Sequence, residues 1–362
     1  MQMNDRFDPG RLVRDELRNL TPYEAEDYPD VIKLDANENP FDFPEEIRQA
    51  IIAKSGCRLF TRYPDAMARD LVRELADLHG IAADQILTGN GSDELILNLM
   101  LAFGARNRVV IAVPTFSMYG IHARVAGAKV VEAPRHRDFD LPVEDITRAG
   151  GDAALVVLCS PNNPTGNSAT AAQLEAILES CPCPVVVDQA YVEFGGTDFL
   201  PLLERYPNLV ILRTFSKAFG LAGLRVGYLF AGPGIMQYLL KVKQPFNVNA
   251  FSQLAAAEVL RHRNIFKQQI AEIIAERENL YAALRKMPGV TVYSSDANYL
   301  LFKTEYPAGD IYNGLLERQV LVRKFNDPLI EGCLRVSVGR PRENKIFLQS
   351  LQQVIGVLEE KK

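Results

Sequence analysis

Lys217 lies in the stretch RTFSKAFGLAGLR (residues 213–225), directly after the apolar run NLVIL, among Thr214, Ser216, Arg225 and several small residues. An ammonium at the end of a buried strand, desolvated and near a second cation, has its pKa drawn down toward a nucleophilic amine that can bond a carbonyl carbon. Three other clusters carry complementary chemistry. ILTGNGSDELI sets Gly89, Gly91, Ser92 and Asp93 where a strand passes into a helix, offering free N–H groups and a positive dipole end to a phosphate. It lacks the third glycine of a dinucleotide fingerprint and the Gly-Lys of a P-loop. VVLCSPNNPTG closes an apolar run with Asn162 and Asn163 between prolines, and VVVDQAYVEF closes another with Asp188 and Tyr191. A carboxylate at the end of a Val-Val-Val strand loses hydration and calls for a cationic or protonated ring partner. Singly, these clusters read as a tight turn, an Asx turn, a helix N-cap and a surface lysine. Together they supply an amine for a carbonyl, a phosphate cradle, an acid for a ring nitrogen and an Asn/Tyr pair for a phenolate oxygen, the set that pyridoxal phosphate chemistry requires.

Such groups must be brought together by the elements that carry them. The segments RVVIAVP, AKVVEAP, AALVVLCSP, PVVVDQAY, NLVILRTFS and RVGYLFAG are short, Val/Ile/Leu-rich and bounded by turn formers. They predict strands buried on both faces, hence a mostly parallel sheet covered by helices, with ligands at the carboxyl ends of the strands. MARDLVRELADLHG predicts a helix closed by Gly80, and SDELILNLMLAFG one opened by Ser92 or Asp93 and closed by Gly104. Beyond residue 250 the rhythm changes: one long helical stretch, SQLAAAEVLRHRNIFKQQIAEIIAERENLYAALRKM, leads into VTVYSS, NYLLFK, VLVRKF and CLRVSVG, then a last helix, which predicts a second, smaller α+β unit. The expected division is an arm with part of the small unit over 1–60, a large cofactor-binding unit over 61–260, and the small unit over 261–362. VIKLDANENPFDFP is expected to pack on the small unit or on a second subunit. At 362 residues and 48% hydrophobic the chain can bury a large core; its net charge of −5 argues against nucleic acid as a partner. Five cysteines fit neither a disulfide framework nor a metal cluster, and no metal is expected. The polar start and the absence of a long apolar run predict no membrane span and a cytoplasmic location.

Along nearly its whole length the chain resembles the fold-type I pyridoxal-phosphate aminotransferases. The resemblance is carried by NLTPY (19–23), LDANENP (34–40), RYPD (62–65), GNGSDE (89–94), PTFSMY (114–119), SPNNPTG (160–166), DQAY (188–191), TFSKAFGLAGLRVGY (214–228) and LRVSVG (334–339). It implies an α/β fold in which a mostly parallel seven-stranded sheet forms a large domain beside a smaller α+β domain. It also implies that Lys217 carries the cofactor as a Schiff base and moves the proton at the substrate carbon, that Asp188 keeps the pyridine nitrogen protonated, and that Asn163 and Tyr191 bind the phenolate oxygen. Phe116, where the family often has tyrosine, would stack on the ring. Gly91, Ser92, Asp93, Thr214, Ser216 and Arg225 would hold the phosphate, joined by Tyr63 from a partner subunit of a homodimer with shared sites. Tyr23, Asn37, Arg323 and Arg335 would meet the substrates, since guanidinium forks suit both carboxylate and phosphate. The implied reaction exchanges an amino group between L-histidinol phosphate, a phosphorylated amine, and 2-oxoglutarate, giving imidazole-acetol phosphate and L-glutamate as in histidine biosynthesis. An aromatic amino-acid aminotransferase or a threonine-phosphate decarboxylase-like enzyme is the alternative. A DNA-binding regulator on this fold is disfavoured, because neither end has room for a helix-turn-helix module.

Overall fold

The computed structural model describes residues 8–18, 20 and 28–360. Twelve strands are found among them: β1 Ile32–Leu34, β2 Ile86–Asn90, β3 Arg108–Val113, β4 Lys129–Pro134, β5 Leu155–Cys159, β6 Val185–Asp188, β7 Leu209–Thr214, β8 Val226–Ala231, β9 Val290–Val292, β10 Tyr299–Thr304, β11 Val320–Lys324 and β12 Cys333–Ser337. Seven form one sheet in the order β2-β8-β7-β6-β5-β3-β4. Every residue of β5, β6, β7 and β8 is buried, as continuous apolar strands between two helical layers must be. The alternation of the pleat divides β3 between these layers: Val110 and Ala112 join one core, Val109 and Ile111 the other.

The sheet's topology determines where the polar clusters meet. β3, β4, β5, β6 and β7 run parallel, so Cys159 at the end of β5 lies opposite Asp188 at the end of β6. β8 is antiparallel to both of its neighbours, which returns its first residues to the same edge: Gly227 pairs with Thr214 of β7 and with Gly89 of β2. Arg225, just before β8, and the helix that starts at Gly91 after β2 therefore reach the edge where Asp188 and Lys217 stand.

The other five strands form a second sheet, β1-β11-β12-β10-β9. β1 pairs parallel with Val320–Val322 of β11, so LDANENP leaves the second sheet and crosses toward the first. A separate core, including Phe302, Phe347, Leu284 and Leu351, packs helices against this sheet.

Two helical expectations are corrected. The helix after β2 is Gly91–Leu99, with Asn90 rather than Ser92 or Asp93 at its N-cap: the Glu94 carboxylate accepts the Asn90 N–H, which draws the first turn two or three residues earlier. Its last turn continues as a π-helical segment over Met100–Gly104. The long C-terminal helix is two, Ala250–Arg261 and Asn264–Arg285: the Arg263 N–H turns to the Leu260 carbonyl, three residues back, and interrupts the helical ladder. The helix Arg69–His79 ends, as the sequence predicts, on Gly80 with φ 66°. Among the described residues no helix is long and apolar enough to cross a membrane, and no group of three His, Cys, Asp or Glu side chains is placed to hold a metal.

Candidate active site

At the carboxyl edge of the seven-stranded sheet, facing the second sheet, lies a cavity of about 540 Å³. From the first sheet Ser92, Asp93, Phe116, Asn163, Asp188 and Tyr191 line it, together with Thr214, Ser216, Lys217 and Arg225. From the opposite side come Asn37, Arg323 and Arg335. Gly91 stands behind the lining with φ 75°. Tyr63 lies outside the cavity of its own chain: it is 82% exposed and stacks on Phe246, ring centroids 4.6 Å apart. Tyr23 lies outside the described residues.

The two groups at the centre of the cavity are shifted in opposite directions. Burial, reinforced by the nearby Arg335 guanidinium, draws the Lys217 amine down to about 8. Its Nζ donates a 2.9 Å hydrogen bond to the Ala36 carbonyl. Burial pushes the Asp188 carboxyl up to about 6, against the pull of two hydrogen bonds. Its Oδ2 accepts from the Tyr119 hydroxyl at 2.7 Å and its Oδ1 from the Ala190 N–H at 3.0 Å. Such a carboxylate is stabilised most by an adjacent cation, which a protonated pyridine nitrogen would be. Phe116 presents a ring to the cavity and meets Tyr119 edge-on at 5.5 Å.

The phosphate end of the implied cofactor is tested by the space around two glycines. A Cβ on Gly91 would stand 2.5 Å from an Arg225 nitrogen, and one on Gly227 would stand 2.4 Å from the Ser92 nitrogen. The Gly227 contacts are all backbone, so only a glycine there lets the start of β8 close on the helix N-terminus, while Gly91 is favoured by its positive φ. Arg225 pairs with Asp93 at 2.9 Å, and the Thr214 hydroxyl accepts the Ser216 N–H at 3.1 Å, which turns the chain into the cavity after β7. Amine, acid and cradle fit pyridoxal phosphate in both charge and space.

On the facing side, Arg335 is 6% exposed and donates to Asn163 Oδ1 at 2.6 Å and to the Asp35 carbonyl, while its Nε has no partner among the described residues. Burial draws its pKa below the usual guanidinium range. Arg323 is its cross-strand neighbour in the register of β11 and β12, so two guanidiniums share one wall. Asn37 is held rather than open: its amide donates to the Tyr191 hydroxyl at 3.0 Å and its Oδ1 accepts from Ser337 at 3.0 Å.

Several groups went unassigned in the sequence. Tyr119 belongs to PTFSMY, and its signal is its place three residues after Phe116, on the first turn of the helix Met118–Val125. Ser337 belongs to LRVSVG, and Tyr299, whose ring lies 5.1 Å below the Arg335 guanidinium, to NYLLFK. The Asp35 and Ala36 carbonyls have no side-chain signal at all.

Comparison with known proteins agrees with this architecture. The family model for aminotransferases of class I and II matches residues 29–351. A histidinol-phosphate aminotransferase of Thermococcus gammatolerans is 39% identical over 95% of this chain and 98% of its own length, and one of Thermococcus kodakarensis is 41% identical over 94% and 98%. Among solved structures, the histidinol-phosphate aminotransferase of Sinorhizobium meliloti, in complex with pyridoxal-5'-phosphate, superposes with a TM-score of 0.82 at 28% identity, covering 90% of both chains. That of Clostridium acetobutylicum gives 0.83 at 25% identity, covering 90% of this chain and 99% of its own. With identities near 40% sustained from end to end, this chain belongs to the class I and II aminotransferases, among the histidinol-phosphate aminotransferases.

Proposed function

We propose that this chain is a pyridoxal-phosphate transaminase that interconverts L-histidinol phosphate plus 2-oxoglutarate and imidazole-acetol phosphate plus L-glutamate. The observation that carries the reading is the pairing, in one cavity, of an amine drawn down to about 8 with a carboxyl pushed up to about 6, opposite a wall of two arginines. When bound, pyridoxal phosphate supplies an electron sink for the charge left on the substrate carbon. Lys217 would anchor it and, as a free amine, would carry the proton between the substrate carbon and the cofactor carbon. Asp188 holds the proton on the ring nitrogen. Asn163 and Tyr191 bind the ring oxygen, Phe116 covers the ring face, and Ser92, Asp93, Thr214, Ser216 and Arg225 bind the phosphate. Arg335 and Arg323 take the phosphate of one substrate and the carboxylates of the other. Gly91 gives the cradle its room.

Three further points belong to this reading. The chain works as a homodimer in which Tyr63 reaches the cofactor phosphate of the partner's site, supported by the exposure of Tyr63 and Phe246 on one surface. It works in the cytoplasm, supported by five cysteines without a disulfide. Its chain divides at about residues 60 and 260, supported by the two sheets and their separate cores. Steady-state assays with 2-oxoglutarate and a panel of L-histidinol phosphate, phenylalanine and threonine phosphate test the substrate. We expect the highest kcat/KM for L-histidinol phosphate, with glutamate formed. Preference for phenylalanine, or carbon dioxide released from threonine phosphate without glutamate, would overturn it.

A further inference from the structure

Asn37 sits at φ 54° in the left-handed region, which asparagine tolerates better than most residues, and is 1% exposed. Its backbone N–H donates to Ser337 Oγ at 2.8 Å. Having accepted that hydrogen, the Ser337 hydroxyl turns its own proton to Asn37 Oδ1, 3.0 Å away. Asn298 Nδ2 donates to the Asn37 carbonyl at 3.1 Å, which fixes the backbone from the other side. These bonds decide which end of the Asn37 amide faces which neighbour: the oxygen faces Ser337, so the NH₂ group faces Tyr191. The Tyr191 hydroxyl accepts that hydrogen at 3.0 Å, and this is its one hydrogen bond among the described residues. Its own proton is left to point into the cavity.

We propose that Ser337 and Asn37 are positioning residues that fix the direction of the Tyr191 hydroxyl, so that it always donates to the ring oxygen of the cofactor and never accepts. The inference rests on the function proposed above. Three separate parts of the chain make the relay: Ser337 in the second sheet, Asn37 in the crossing segment, Tyr191 after β6. A phenol free to rotate would spend part of its time with its proton on Asn37 or another acceptor. Here the acceptor left open is the one that carries negative charge in the bound state.

A hydrogen donated to that oxygen stabilises its charge and loosens the proton on the adjoining lysine nitrogen. The pH midpoint of the bound cofactor's visible band therefore reads the direction of the hydroxyl. Arg335 from β12, Asp188 from β6 and Cys159 from β5 face the Tyr191 hydroxyl, Lys217 Nζ lies 5.9 Å from its ring centroid, and the Tyr299 ring packs edge-on at 5.1 Å. All of these are unchanged in the variants. Asn37→Asp is isosteric but can only accept from Tyr191, so it reverses the relay; Ser337→Ala frees the amide to turn. We expect the midpoint to rise by about one pH unit in Asn37→Asp and by less in Ser337→Ala. Added to Tyr191→Phe, which removes the hydroxyl, Ser337→Ala should have no effect and Asn37→Asp should keep only the smaller shift due to its new charge. Wild-type midpoints in both single variants, or an Asn37→Asp shift of equal size in the Tyr191→Phe background, where only the new charge acts, would overturn the proposal. Because Asn37→Asp keeps shape, the test stands even if Ser337→Ala folds poorly. A wild-type chain that develops no visible band with pyridoxal phosphate would instead overturn the proposed function.

Discussion

Asp188 carries two testable consequences at the level of single residues. Its pKa is pushed up to about 6 by burial, from an ordinary value near 3.8. Between those values the folded, cofactor-free chain holds a proton that the unfolded chain has released. This contribution to stability is present below about pH 4 and is lost as the pH rises through 6. Thermal melts of the cofactor-free protein should show it, and Asp188→Asn should remove that part of the pH dependence while leaving the rest. The second consequence concerns Tyr119, whose hydroxyl holds Asp188 Oδ2 at 2.7 Å. Losing one hydrogen bond to a charged group corresponds to about 2 kcal/mol. Tyr119→Phe should therefore lower kcat by roughly one to two orders of magnitude, with a weaker cofactor Kd by fluorescence titration and little change in KM. An unchanged kcat would show that Ala190 alone holds the carboxylate.

Among the elements, the junction of the helix Gly91–Leu99 with β8 depends on bare backbone. Gly227 faces the Ser92 nitrogen with no room for a methyl group, and neither atom belongs to a flexible side-chain tip. In Gly227→Ala the helix N-terminus must move away from the cradle, so its N–H groups no longer converge on the phosphate. We expect at least about tenfold weaker pyridoxal phosphate binding, measured by dialysis and absorbance, with secondary structure by circular dichroism unchanged. The strands themselves were legible, since LVVLC, VVVD and LVILRT can only be buried on both faces. The first turn of the helix and the break at His262 were not. Both hang on particular hydrogen bonds, from Asn90 to Glu94 and from Arg263 to Leu260, that no residue type in the sequence announces.

For the molecule as a whole, the position of Tyr63, exposed and outside the lining of its own chain's cavity, makes shared sites testable by complementation. Lys217→Ala and Tyr63→Ala should each be nearly inactive as separate proteins. Mixed, dissociated and reassociated, they should regain activity, because a mixed dimer contains one site with both wild-type residues. No recovery, with mixed dimers demonstrated by native mass spectrometry, would mean that each site is complete within one chain. The chemistry of this site follows from the order of the amino acids: a lysine, an acid, an asparagine, a tyrosine and glycine-rich turns each follow an apolar strand, and strands of that composition must run parallel in a covered sheet with their ends at one edge. What holds those side chains in place came from the folded chain. The carbonyls of Asp35 and Ala36, the ends of the Asn37 amide and the hydroxyls of Tyr119 and Ser337 gain their roles from contacts between segments as far as 300 residues apart. A backbone oxygen has no letter in the sequence, and the direction of a hydrogen bond is settled only when every neighbour has been placed.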